Sequence, residues 1–74
     1  MKKVIFDYSK LKGRIKEKCE TQRNFARLLG ISEGTLTAKL ANASYFSQSE
    51  IEQSIQILSI ESGKVSDYFF TVRV

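Results

Sequence analysis

Apolar residues recur three and four positions apart along most of the chain, the spacing of a single helix face. Tyr8, Leu11, Ile15 and Cys19 trace the first such stripe and predict a helix over about 8–20. Asp7 stands before it as an N-cap, with Phe6 placed to staple onto Leu11. Gly13 interrupts this helix and is expected to mark close packing. Thr21 caps a second helix, "QRNFARLLG", whose apolar stripe is Phe25, Ala26, Leu28 and Leu29. Gly30 suits the left-handed residue that ends a helix, and Ile31 plugs the turn.

Ser32 caps a third helix over 33–42, with Leu36 and Leu40 four apart, and "NASYF" follows as a loop. Phe46 is expected to cover the core, whereas the role of Tyr45 stays open. Ser47 and Glu50 have capping-box spacing and open a fourth helix over 48–60, with Ile51, Ile55, Ile57 and Leu58 inward. Ser62-Gly63 breaks it, and "KVSDYFF" forms a short fifth helix packing Val65, Tyr68 and Phe69. The ends differ: "KKVIF" and "FTVRV" are β-branched and aromatic. They suggest a short two-stranded β-ribbon, made with each other or with a second subunit. The expected fold is all-α: a compact four- to five-helix bundle, 1–74, as a single helix-turn-helix domain.

Size narrows the picture. Seventy-four residues make one small domain, burying about 60% of its unfolded surface. The lone Cys19 forms no internal disulfide, which points to a reducing compartment. The apolar runs are too short for a membrane span, so a cytoplasmic location is expected.

Charge changes the picture more. The net charge is +4, yet residues 1–40 hold ten basic residues against four acids, a net +6. Residues 41–74 hold two against four, a net −2. A basic N-terminal half implies a polyanion partner, although a solvated lysine-rich helix face produces the same count.

Enzyme chemistry finds little to work with. There is no histidine, no phosphate-cradling glycine loop and no metal-ligand cluster. No metal, cofactor or small-molecule substrate is expected. Cys19 lies on an apolar stripe and reads as a small buried hydrophobe. Asp7 and Asp67 read as caps or surface charges.

Two helices joined by a glycine turn make a helix-turn-helix arrangement. Ala26 sits where the two would cross. Gln22 and Arg23 open the second helix, where free N–H groups favour anions. Asn42, Ser44, Tyr45, Ser47 and Gln48 supply further polar groups after the third helix. These residues are the candidate phosphate contacts, while Arg27 reads equally as a phosphate contact or a solvated residue.

The stretch "QRNFARLLGISEGTLTAKL" resembles the helix-turn-helix of phage Cro and repressor-type regulators, the xenobiotic-response-element class. The resemblance covers roughly residues 8–70 and is strongest to short single-domain phage proteins. It implies a homodimer bound to double-stranded operator DNA, with half-sites about one helical turn apart. It also implies that Gln22 contacts a phosphate, and that Ser32, Glu33, Gly34, Thr37, Ala38 and Ala41 reach base edges.

One position departs from that pattern. Lys39 fills a slot the class usually keeps apolar, and Leu40 takes its place. Lys39 is therefore expected to lay its stem on the core and send its ammonium to a phosphate. The dimer surface is expected at Tyr68, Phe69, Phe70, Val72 and Val74. The alternative function is a protein-binding module, an antirepressor or antitoxin-like partner.

Overall fold

A computed structural model describes residues 4–73, and Val74 lies outside them. Five α-helices are formed among the described residues: α1 Ser9–Cys19, α2 Gln22–Leu29, α3 Glu33–Leu40, α4 Gln48–Leu58 and α5 Val65–Phe69. A 3-10 turn, Ser62–Lys64, leads into α5. The all-helical bundle expected from the periodicity is the fold observed.

Local side-chain chemistry starts three of the helices. Thr21 accepts from the Asn24 N–H, Ser32 from Thr35 and Ser47 from Glu50. Glu50 returns a bond to the Ser47 N–H, completing the capping box. α1 begins differently. Its N-cap position is Tyr8, which makes no side-chain cap. Asp7 Oδ1 instead accepts from both the backbone N–H and the hydroxyl of Ser9, at 2.9 and 2.6 Å. These two bonds hold the Asp7 carboxyl below its ordinary pKa.

Three helices stop in the same way. Behind α2, Ile31 N–H reaches Ala26 O (3.0 Å) and Gly30 N–H reaches Arg27 O (3.1 Å). The same crossed pair closes α3 (Ala43 to Ala38, Asn42 to Lys39) and α4 (Ile60 to Ile55, Ser59 to Gln56). The motif needs a left-handed residue. Gly30, Asn42 and Ser59 supply it, at φ 83°, 65° and 53°.

Leu11, Ile15, Phe25, Leu36, Leu58 and Phe69 form the fully buried centre. Phe46 packs edge-on between Tyr8 and Phe69, at 5.6 and 5.4 Å between centroids. Arg14 ties α1 to the end of α4. Its guanidinium donates to the carbonyls of Leu58 and Ser59, both at 2.9 Å, where unpaired helix carbonyls favour a cation.

Several expectations are corrected. Leu28 is 61% exposed, because an eight-residue helix turns only Phe25, Ala26 and Leu29 inward. A Cβ at Gly13 would meet nothing within 4 Å, so that glycine marks no close approach. Phe69 is 2% exposed; it belongs to the core and offers nothing to a dimer surface.

The ends meet each other. Phe6 and Val72 form one antiparallel bridge, flanked by Asp7 N–H to Thr71 O (2.7 Å) and Arg73 N–H to Ile5 O (2.8 Å). Among the described residues the ribbon is a single bridge, because Phe70 already closes α5; Lys2, Lys3 and Val74 of the expected ribbon lie outside them.

Candidate nucleic-acid interface

Leu36, Lys39 and Leu40 are the buried residues of α3 and fix how it is turned. At 3.6 residues per turn, Gly34, Ala38 and Ala41 then fall within about 40° of the outward direction. Thr37 lies roughly 70° to one side on the same count. Ser32, Glu33, Gly34, Thr37 and Ala41 are exposed and Ala38 is half-buried. All six candidate base-contacting residues therefore lie on or at the end of one helix, and the centre of its outer line carries methyl groups and bare backbone.

Hydrogen bonding within α3 limits what this face can offer. The Thr37 hydroxyl donates to the Glu33 carbonyl at 2.9 Å, so its oxygen faces a partner as an acceptor. Ser32 donates its hydroxyl proton to Thr35 Oγ1 at 2.7 Å. Glu33 adds a further acceptor. Cytosine and adenine amino groups are the base edges that match acceptors, and thymine methyls match Ala38 and Ala41.

The candidate phosphate contacts divide into two sets. Gln22 and Arg23 stand at the first two positions of α2, half-buried and exposed. Ser44, Tyr45, Ser47 and Gln48 are exposed along the loop and the start of α4. Tyr45 also binds its hydroxyl to Val4 O at 3.0 Å.

Lys39 and Asn42 do not join them. The Lys39 stem is buried as expected, but its ammonium lies 2.9 Å from Glu50 Oε1 and 2.9 Å from the Tyr45 carbonyl. An ammonium held by a carboxylate in a nearly dry site is not free for a phosphate. Asn42 is 5% exposed. Its amide accepts from Phe6 N–H at 2.9 Å and donates to Phe6 O at 3.0 Å. Both side chains hold α3 and its following loop from behind.

Burial raises the pKa of Glu50, and this is outweighed by the Ser47 N–H and the Lys39 ammonium, so the carboxyl titrates below its ordinary value. The same oxygen, Oε1, serves both the capping box and the ion pair. One carboxylate therefore locks α3, the 41–47 loop and the start of α4 together.

Two cations that the pattern of the sequence did not single out flank the same face. Lys12, from α1, and Arg73, from the C-terminal segment, line an open cleft of about 590 Å³ with Ile5, Leu40, Ala41 and Asn42. Sequence separation hid them: the two are 61 positions apart. On the other side of the bridge, Val4, Phe6, Tyr45 and Phe70 line an apolar groove of about 400 Å³. Tyr68 is half-buried, and Phe70 and Val72 are exposed.

Cys19 is buried, and burial pushes its thiol pKa up, so it is a packing residue. Among the described residues no group of His, Cys, Asp or Glu could hold a metal ion. None of the described helices is long and apolar enough to cross a membrane.

The described residues form a small all-helical bundle of five helices, with α2 and α3 joined at the Gly30 turn. The chain belongs to the family described as "Protein of unknown function (DUF739)", which matches residues 4–72. It is also similar to the solution structure of the modulator of repression of the temperate bacteriophage TP901-1 from Lactococcus lactis. That structure is 40% identical, covers 88% of each chain and has a TM-score of 0.77. No curated protein matches. The chain is thus related to a phage regulatory protein, and the family that matches is this one rather than a Cro or repressor helix-turn-helix family.

Proposed function

We propose that the chain is a phage gene-control protein that modulates repression through its α2–α3 face, with double-stranded operator DNA as the partner. It would act in the cytoplasm of a bacterial host, in keeping with the name of its phage relative. The observation that carries this reading is the outward line Gly34–Ala38–Ala41. It is bare enough for backbone to approach a groove floor, and Gln22 and Arg23 stand on the preceding helix. α3 enters the major groove, Thr37 accepts from a base amino group, and phosphates supply most of the affinity.

Gel retardation at low salt, followed by selection from a random duplex pool, tests this. Duplex binding that weakens steeply with salt supports it. Gln22→Ala and Arg23→Ala are expected to weaken all duplexes alike, whereas Thr37→Val shifts the preference at one base position. Equal losses on all duplexes for Thr37→Val remove it from the reading set.

A second reading is favoured by the inward turn of Lys39 and Asn42. With Lys39 paired, Glu33 is the charged side chain that α3 leaves exposed, to one side of the outward line, and an acid repels phosphate. Under this reading the same face docks on a repressor protein, and the chain works as an antirepressor. Absence of any salt-dependent retardation, together with saturable binding to a phage repressor domain, selects it.

A further inference from the structure

The cleft beside the C-terminal end of α3 is the strongest feature outside the residues already assigned. Lys12 reaches it from α1 and Arg73 from the C-terminal segment. Ala41, at the end of the outward line of α3, forms part of its wall. Lys10, Arg14 and Lys39 each pair with an acid, whereas the ion pairs among the described residues include neither Lys12 nor Arg73. The backbone under Arg73 is fixed by its bond to Ile5 O at 2.8 Å. Asp7 is the acid near enough to feel both cations, and its Oδ1 is already taken by Ser9.

We propose that Lys12 and Arg73 form a phosphate-binding cleft that anchors the DNA backbone at the C-terminal end of α3. This rests on the DNA reading above and names cations for the role that Lys39 and Asn42 do not fill. An eight-residue helix is about 12 Å long, comparable to the width of the major groove, about 12 Å. A cation site at the end of α3 is therefore placed to meet a groove-edge phosphate while the helix lies within. The cleft contributes affinity and register and no base preference.

The test compares Lys12→Gln/Arg73→Gln with Lys10→Gln/Lys64→Gln, which removes the same charge beside α5. Duplex affinity is measured across salt concentrations for both and for the unaltered chain. The slope of log affinity against log salt is expected to fall by about 1.8 for the cleft variant, at about 0.9 per phosphate. The control is expected to keep its slope, and all three proteins to melt at the same temperature.

Equal losses in both variants reduce the effect to net charge and overturn the cleft. An unchanged slope in the cleft variant, with binding still sensitive to Arg23→Ala, overturns the cleft and leaves the DNA reading standing. If the unaltered chain retards no duplex at low salt, both fall together.

Discussion

Gly34 is the second residue of α3, and glycine costs up to roughly 1 kcal/mol relative to alanine in a helix. Nothing within 4 Å would meet a Cβ there, so the fold itself has no steric use for it. Gly34→Ala is therefore expected to stabilise the domain by about 0.5–1 kcal/mol. It should also weaken binding to the partner by adding a methyl at the point of closest approach; chemical denaturation and a binding titration read the two effects separately. Lys39 is the opposite case, a charged residue needed by the fold. Its side chain is 11% exposed and that of Glu50 is 18% exposed. Lys39→Met keeps the apolar stem and strands the carboxylate, at a cost of about 2 kcal/mol, below the range for fully buried pairs. The pair also sets an acid limit. Glu50 has a lowered pKa in the folded chain, so its contribution is present above the unfolded glutamate value, about 4.3, and is lost as pH falls through the folded one. Stability measured between pH 6 and 3 should fall less steeply in Lys39→Met than in the unaltered chain. Equal slopes would show that the pair does not govern acid sensitivity.

At the level of elements, the starts and stops of helices were legible wherever the chemistry is local. Thr21, Ser32 and the Ser47–Glu50 box each act within three residues, and Gly30 announces its own left-handed turn. What lay hidden was every contact between distant segments. Asn42 reads as a polar loop residue, yet its amide pairs with the backbone of Phe6, 36 positions away. It stands beside the Ile5–Asp7 segment as a neighbouring strand would, while Thr71–Arg73 takes the other side. Lys39 was equally opaque, because the carboxylate it meets comes from α4. The apolar stem was foreseeable from its slot on α3; the destination of the ammonium was not. Asn42 performs two tasks that substitution can separate. Asn42→Gly keeps the left-handed conformation and loses the two bonds to Phe6, costing about 1–2 kcal/mol. Asn42→Ala loses both, and thermal unfolding should place it about 1 kcal/mol below the glycine variant. A glycine variant as unstable as the alanine one would mean that the backbone conformation there is of no consequence.

At the scale of the whole fold, the bridge between the ends leaves one edge open among the described residues. Phe6 and Val72 are a non-hydrogen-bonded pair, so the N–H and C=O of each point away from the other strand. Those of Phe6 turn to Asn42, which blocks further pairing on that side. Those of Val72 turn outward, along an extended edge of the kind that recruits another chain. Phe70 and Val72, two residues apart and 52% and 54% exposed, add apolar surface along this edge. A second copy related by a two-fold axis at Val72 would satisfy these groups, pairing Val72 with its own counterpart in antiparallel register. The homodimer that the DNA reading requires is thus expected to form through this edge rather than through Phe69. Phe70→Ser/Val72→Ser should leave the core intact and convert the dimer to a folded monomer. That monomer should bind a single half-site and lose the preference for paired half-sites about one helical turn apart. Sedimentation of the unaltered chain on a duplex decides the matter, since one copy per operator at saturation would eliminate the dimer.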